Sequence, residues 1–223
     1  MALAGGTGRR LKSGSDHNKW GALTFVNHVA RLLRSLNCDA TYGWALLALC
    51  ALLLLIAATG DPGRVLLRYD RVALARGELW RLLTAHLVHL DLHHVLLNCL
   101  GTLLVWALFA RDYTPRQWAA IVLASIAAID AGLWLWDSTL RWYVGSSGAL
   151  HGAMAAGALA RLRRGEPEGW VLAAFLAGKL AWEQWMGALP ISAGLPVVTE
   201  AHLYGVLGGL AAAACLRPRA KPV

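Results

Sequence analysis

Charged side chains are scarce in this sequence of 223 residues. Asp, Glu, Lys and Arg make up only 15% of the chain, whereas 57% of it is hydrophobic and the mean hydropathy is positive. Soluble domains carry about 25% charged residues, so the composition excludes an ordinary soluble domain and predicts a membrane protein. A helix needs about 20 apolar residues to span the ~30 Å hydrocarbon core, because backbone polar groups in lipid must be satisfied within the segment.

The chain has only four cysteines, and its N-terminal sequence does not look like a signal peptide. The first 40 residues lack the apolar core and small-residue cleavage site of a signal peptide, so we expect this end to be retained. The cysteines form no C-x-x-C pair, and three of them lie in apolar stretches, where cysteine behaves as a small hydrophobic residue. We therefore expect no disulfide, no metal site and no cofactor from Cys38, Cys50, Cys99 and Cys215.

Stretches with few charges recur along the whole chain. Together they predict an all-α membrane protein, a bundle of six transmembrane helices, and they leave no room for a second folded domain. The predicted spans are residues 40–60, 92–110, 117–136, 142–160, 170–187 and 201–216.

Basic residues determine the predicted orientation. Most of them fall near the two termini and in alternate loops, as expected if both termini are cytoplasmic. The predicted organisation is a basic cytoplasmic segment over 1–40, a membrane domain over 41–216 and a basic cytoplasmic tail over 217–223. Residues 20–36 fit an interfacial helix, and a loosely ordered basic tail fits them equally well. The net charge of +8 predicts contact with the lipid bilayer rather than with nucleic acid.

Polar side chains inside the apolar stretches are functional candidates, because they are costly in lipid unless they are paired or face water. Three of the four groups lie at the starts of spans two, four and six. These spans all run inward from the outer face, so their first turns lie at a similar depth. The groups are His86, His89, His93, His94 and Asn98; Ser146 and Ser147; Lys179 and Glu183; and Glu200 and His202.

Ser147 and His202 are the candidate nucleophile and base. Acyl transfer needs these two groups in hydrogen-bond reach, together with donors aimed at the developing oxyanion. Glycines beside Ser147 allow a tight turn at a helix start and leave N–H groups free to bind negative charge. Small residues on spans four and six would let the two helices approach closely. They are Gly148, Gly152 and Ala156 on one span and Gly205 and Gly209 on the other.

Four motifs, in this order, resemble the signature set of the rhomboid intramembrane serine proteases. They are E-x-W-R at 78–81, H-x-x-x-x-H-x-x-x-N at 89–98, G-S-S-G at 145–148 and A-H-L-Y-G-x-x-x-G at 201–209. The resemblance implies that Ser147 attacks the scissile carbonyl and that His202 accepts its proton, with no acidic third member required. It further implies that His94, Asn98 and the Ser147 N–H stabilise the oxyanion. The supporting positions are His89, Gly145, Gly148, His151, Glu200 and Gly205.

Within this family the chain looks most like the rhombosortases, bacterial rhomboids that process substrates bearing a C-terminal Gly-Gly membrane-anchoring tail. The features are the minimal six-span length, His151 where other rhomboids often carry tyrosine, the Lys179 to Glu183 spacing, and Glu200 two residues before His202. The resemblance implies membrane-anchored protein substrates with a C-terminal transmembrane tail. It also implies a place in the bacterial inner membrane, with the active site opening toward the periplasm.

Three alternatives stay open. The histidines at 86–94 contain H-x-x-x-H-H, which resembles one histidine box of membrane desaturases and would make the chain a metal-dependent membrane enzyme. An inactive rhomboid-like protein that binds membrane clients would keep the fold without the chemistry. A Ser-Lys dyad would use Lys179 as the base, although Lys179 and Glu183 at i, i+4 fit a structural pair more simply. Asp130 has no evident partner in the sequence.

Overall fold

A computed structural model describes residues 40–192 and 194–220, and this part of the chain is mostly helical. The segment at 20–36, for which an interfacial helix was one prediction, lies outside the described residues. Two short strands, β1 Tyr69–Asp70 and β2 Trp142–Tyr143, pair in antiparallel register. The α-helices of the described part are α1 Ala40–Ala57, α2 Gly60–Leu67, α3 Arg71–Ala75, α4 Arg81–Thr84, α5 Leu92–Phe109, α6 Pro115–Leu135, α7 Ser147–Arg163, α8 Pro167–Met186 and α9 Glu200–Cys215.

Two helical segments are long and apolar enough to cross a membrane, Leu92–Asp112 and Pro115–Leu135, each of 21 residues. Helices α1 and α2 form a third candidate, which is bent by 109° at its break. Helices α7 and α9 have only 17 and 16 residues, and Lys179 and Glu183 make α8 more polar. The helical membrane class is therefore confirmed with two or three apolar spans among the described residues. Six spans with cytoplasmic termini stay a prediction.

Helix α9 packs on both α7 and α6. A Cβ atom added to Gly205 would collide with the backbone of Gly148, and one added to Gly209 would collide with the backbone of Gly152. The two small-residue stripes therefore face each other, and the α7 and α9 backbones touch without intervening side chains. This close approach brings the first turns of the two helices together.

The strand pair determines where α7 begins. Tyr69 is opposite Tyr143 and Asp70 is opposite Trp142, so residues 142–143 are extended rather than helical. Gly145 then takes a φ of 120°, which side chains other than glycine rarely adopt, and the helix starts at Ser147. The predicted span at 142–160 therefore began too early, because pairing with β1 competes with helix formation there.

Two arginines, the partly buried Arg71 and the buried Arg81, hold the segment between α1 and α5 in place. Arg71 donates hydrogen bonds to four backbone carbonyls at and after the end of α6. Arg81, only 6% exposed, pairs with Glu78 at 2.7 Å and donates to the carbonyls of Val65 and Arg68. Glu78 and Arg81 of the E-x-W-R motif thus hold this segment in shape.

Candidate active site

Ser147 and His202 are in hydrogen-bond contact. Ser147 is the first residue of α7, His202 lies in the first turn of α9, and the distance from Ser147 Oγ to His202 Nε2 is 2.9 Å. His202 is buried, whereas Ser147 is partly exposed. A neutral imidazole whose Nε2 carries no proton can accept the proton of the serine hydroxyl.

Glu183 of α8 contacts the other ring nitrogen of His202. Glu183 Oε2 lies 2.9 Å from His202 Nδ1, and Glu183 Oε1 accepts a hydrogen bond from Lys179 Nζ at 2.6 Å. The sequence pairs Lys179 with Glu183 but does not reveal the contact with His202. The available signal was the carboxylate itself, because a buried acid in an apolar helix needs partners.

His151 lies one turn after Ser147 and contacts both members of the pair. Its ring stacks on that of His202, with centroids 4.1 Å apart and planes 15° apart. Its Nδ1 lies 2.7 Å from the Ser147 carbonyl oxygen, which can only accept, so Nδ1 carries the ring proton. The stacked ring packs against one face of the His202 imidazole and restricts its rotation.

His151, Glu183 and His202 also form the one group among the described residues that could hold a metal ion, with potential ligand atoms within 4.8 Å of one another. Both carboxylate oxygens of Glu183 and the Nδ1 of His202 are already in hydrogen bonds. A bound cation would have to displace the Lys179 ammonium group and the His202 proton. The hydrogen bonds account for the cluster without a metal.

The four histidines at 86–94 do not converge on one point, although the rings of His89 and His94 touch. His86 Nε2 lies 3.4 Å from Asp130 Oδ1, which gives Asp130 the partner that the sequence did not reveal. His93 Nε2 lies 3.0 Å from the carbonyl oxygen of Ile191. His89 Nε2 approaches Ser146 Oγ in the segment 144–146 before α7, here called the serine loop, and His94 Nδ1 accepts from the Leu90 N–H. This divergence does not favour the histidine-box alternative, because metal binding needs convergent imidazoles.

His94 and Asn98 of α5 both lie beside the serine loop, but in different ways. The Leu90 N–H donates to His94 Nδ1 at 3.3 Å, so His94 Nε2 carries the ring proton and can donate. The Asn98 amide donates to the His94 carbonyl at 2.9 Å and accepts from Ser146 Oγ at 3.0 Å. His94 lines the cleft beside Ser147, whereas Asn98 holds the neighbouring serine.

His89 approaches Ser146 from the other side. Its Nε2 lies 3.4 Å from Ser146 Oγ, at the long end of hydrogen-bond distance, and its ring packs edge-on against that of His94. Burial, reinforced by His94, lowers the pKa of His89 to about 3, so this ring is neutral at physiological pH. Ser146 is therefore held by the network of His89 and Asn98, a role that the sequence did not indicate.

A cleft of about 560 Å³ opens beside Ser147. His94 and Glu200 contribute to its walls, together with residues 137, 139–144 and 196–198. Glu200 is the first residue of α9 and is partly exposed, so it can meet a bound substrate. Ser147 is thus reached from a solvent-accessible cleft rather than from the packed interior.

The backbone of Gly145 anchors the serine loop. Its N–H donates to the Ala85 carbonyl at 2.9 Å, and its own carbonyl accepts from Tyr143 Oη at 2.6 Å. A Cβ atom on Gly145 would lie 3.0 Å from Cε1 of His94, so the ring packs directly on the glycine. Burial raises the pKa of Tyr143, which keeps its hydroxyl protonated and able to donate.

Tyr143 and Tyr69 offer a matched test of this anchor, because both are buried and they face each other across the strand pair. Tyr143→Phe leaves the buried Gly145 carbonyl without its donor, and we expect the free energy of unfolding to fall by about 1–2 kcal/mol. Tyr69→Phe should be neutral or stabilising, because the Tyr69 hydroxyl has no partner within the described ranges. Thermal unfolding in detergent measures both variants. Equal losses would contradict the proposed anchor.

A helical membrane domain in which a serine and a histidine meet beside a cleft is the architecture of a membrane-embedded serine hydrolase. A family model described as the Rhomboid domain matches residues 76–219, which include all four motifs. The chain therefore belongs to the rhomboid family of intramembrane serine proteases. No curated protein is similar enough to match the chain, so no relative refines this assignment to the rhombosortases.

Proposed function

We propose that this protein is an intramembrane serine endopeptidase with Ser147 as nucleophile and His202 as general base. The 2.9 Å contact between Ser147 Oγ and His202 Nε2 is the observation that carries the proposal. Ser147 Oγ attacks the scissile carbonyl carbon while its proton passes to His202 Nε2. The tetrahedral intermediate then breaks its C–N bond, and His202 returns the proton to the leaving amine. Water then attacks the resulting acyl-enzyme while His202 accepts a proton from it. His202 returns that proton to Ser147 Oγ as the acyl group leaves.

The oxyanion would form between the start of α7 and His94. The N–H groups of the first helical turn have no partner within the helix, and the Ser147 N–H is among them. His94 Nε2–H supplies a second donor from the cleft wall. Asn98 supports this arrangement by holding Ser146 and the His94 carbonyl. Gly145, Gly148 and Gly205 supply the close backbone packing on which the arrangement depends.

The remaining alternatives have weaker support. The Ser-Lys reading requires Lys179 to contact Ser147, but Lys179 Nζ is bonded to Glu183 and Ser147 Oγ is bonded to His202. An inactive client-binding protein would have no need for a serine hydroxyl aligned on an unprotonated ring nitrogen. The Ser-Lys alternative predicts that His202 is dispensable for reaction at Ser147, and the client-binding alternative predicts no reaction at Ser147 at all.

We propose further that the substrates are membrane-anchored proteins cleaved at a C-terminal transmembrane tail of the Gly-Gly type. The six-span topology in the bacterial inner membrane, with the cleft toward the periplasm, belongs to this proposal. His151, Glu200 and the Lys179–Glu183 pair agree with the rhombosortase pattern. A Gly-Gly sequence also suits the walls beside Ser147, because it has no side chains to collide with the ring of His94.

A reporter in liposomes tests the substrate class. Wild-type protein is expected to release a soluble domain from a Gly-Gly transmembrane tail at least about 10-fold faster than from a Val-Val tail, because two added side chains must be accommodated near the serine. Ser147→Ala should release neither reporter. Equal cleavage of both tails would overturn the tail preference while leaving the protease assignment in place.

A further inference from the structure

We infer that Glu183 is a positioning residue of the active site, which holds His202 in the tautomer and orientation that the base requires. This inference rests on the proposed Ser147–His202 mechanism and adds a third member to it. The rhomboid resemblance requires no acidic residue at this place. The chain nevertheless presents a carboxylate to the base from a third helix, α8.

The contacts form one continuous chain from α8 to the nucleophile. Lys179 Nζ donates to Glu183 Oε1 at 2.6 Å, Glu183 Oε2 lies 2.9 Å from His202 Nδ1, and His202 Nε2 lies 2.9 Å from Ser147 Oγ. Glu183 and His202 are each only 4% exposed. The Glu183 carboxylate and the His202 ring therefore depend on each other rather than on water for the hydrogen bond between them.

The carboxylate determines which ring nitrogen carries the proton. A carboxylate can only accept, so Nδ1 of His202 must be the protonated nitrogen and Nε2 is left free to take the serine proton. When that proton arrives, the buried ring becomes a cation next to the Glu183 oxygen. The negative charge offsets the cost of forming a charge away from water, as the aspartate does in soluble Ser-His-Asp enzymes.

The variant Glu183→Gln tests the role of Glu183, because Lys179 determines which way the new amide faces. In Glu183→Gln the side chain keeps only one oxygen, and Lys179 can only donate, so it claims that oxygen. The amide NH₂ then faces His202 Nδ1 and forces the ring proton onto Nε2. The base is blocked although the shape of the site is unchanged. Lys179→Met added to Glu183→Gln frees the amide to turn its oxygen toward His202 again.

The experiment measures the rate of labelling of detergent-solubilised protein by a fluorophosphonate probe. Glu183→Gln should label about 10³- to 10⁴-fold more slowly than wild type, the size of loss seen when the base is held in the wrong tautomer. The double variant Lys179→Met/Glu183→Gln should recover at least about 10-fold of that rate. Glu183→Asp, which keeps the carboxylate, should label faster than Glu183→Gln. The loss should appear in the limiting rate and not in the probe concentration at half-saturation.

Each result decides between specific accounts. Wild-type labelling by Glu183→Gln would overturn the inference and leave the Ser147–His202 proposal standing. An equal loss in the single and double variants, with unfolding temperatures like that of wild type, would also overturn it, because a purely structural ion pair predicts no rescue. Absence of labelling in the wild type, or equal labelling of Ser147→Ala, would overturn the proposed function instead.

Discussion

Alanine at Ser147 or at His202 is expected to lower the cleavage rate by about 10⁶-fold, and alanine at both positions is expected to lower it no further. In a serine protease the two residues act as one unit, so removing either one removes the covalent route entirely. The direct contact between Ser147 Oγ and His202 Nε2 is the structural reason for this unit. The measurement is the turnover number for a membrane-anchored reporter in liposomes, with the two single variants and the double variant compared.

Ser146→Ala is the matched control for these variants. Ser146 is the neighbouring serine, but its hydroxyl is held by Asn98 and His89 and does not contact His202. We expect this variant to keep its activity within about 10-fold of wild type, because it loses only two neutral hydrogen bonds of about 1 kcal/mol or less each, both outside the Ser147–His202 contact. Additive losses in the double variant, or inactivity of Ser146→Ala alone, would contradict the assignment of Ser147.

Among substitutions at positions that make no polar contact in the site, Gly205→Ala is expected to slow the labelling of Ser147 the most. Its new methyl group would collide with the Gly148 carbonyl on the facing helix, so α7 and α9 must separate. Overpacking of this kind costs about 1–3 kcal/mol of stability. A shift of about 1 Å between reacting groups can lower a rate by about 10²-fold. We therefore expect a lower unfolding temperature and about 10²-fold slower labelling of Ser147.

Gly178→Ala provides the control for the same chemical change. Gly178 lies on α8, where an added Cβ would meet nothing within 4 Å. Alanine there should leave labelling unchanged and stabilise the helix by up to about 1 kcal/mol. Thermal unfolding and probe labelling of the two variants side by side separate the effect of helix–helix packing from the effect of alanine on helix propensity. Labelling of Gly205→Ala at the rate of Gly178→Ala would contradict the close-packed arrangement of α7 and α9.

The sequence predicted most of the long helices and the faces on which two of them meet. Apolar runs interrupted by few charges indicate helices directly, and the four-residue spacing of glycines indicates a face that admits another backbone. The start of α7 was not predictable in the same way. Residues 142–143 are apolar enough for a span, and only their pairing with β1, far earlier in the chain, makes them extended.

Within the site, contacts along one helix were readable and contacts between helices were not. Lys179 and Glu183 follow from i, i+4 spacing. The approach of Glu183 to His202 depends on how α8 is rotated against α9, which spacing does not encode. The same reason hides the contacts of His86 with Asp130 and of Asn98 with Ser146. Family motifs indicated which residues to expect in the candidate site, whereas their hydrogen-bond partners required the structure.

The most direct test of the central claim is to locate the probe on the protein. Wild-type protein is reacted with a fluorophosphonate, digested, and mapped by peptide mass spectrometry. A Ser–His site of the proposed kind predicts the phosphonyl group on Ser147, next to the unprotonated Nε2 of His202. A phosphonyl group on Ser146, or no modified serine in protein that cleaves its reporter, would contradict it.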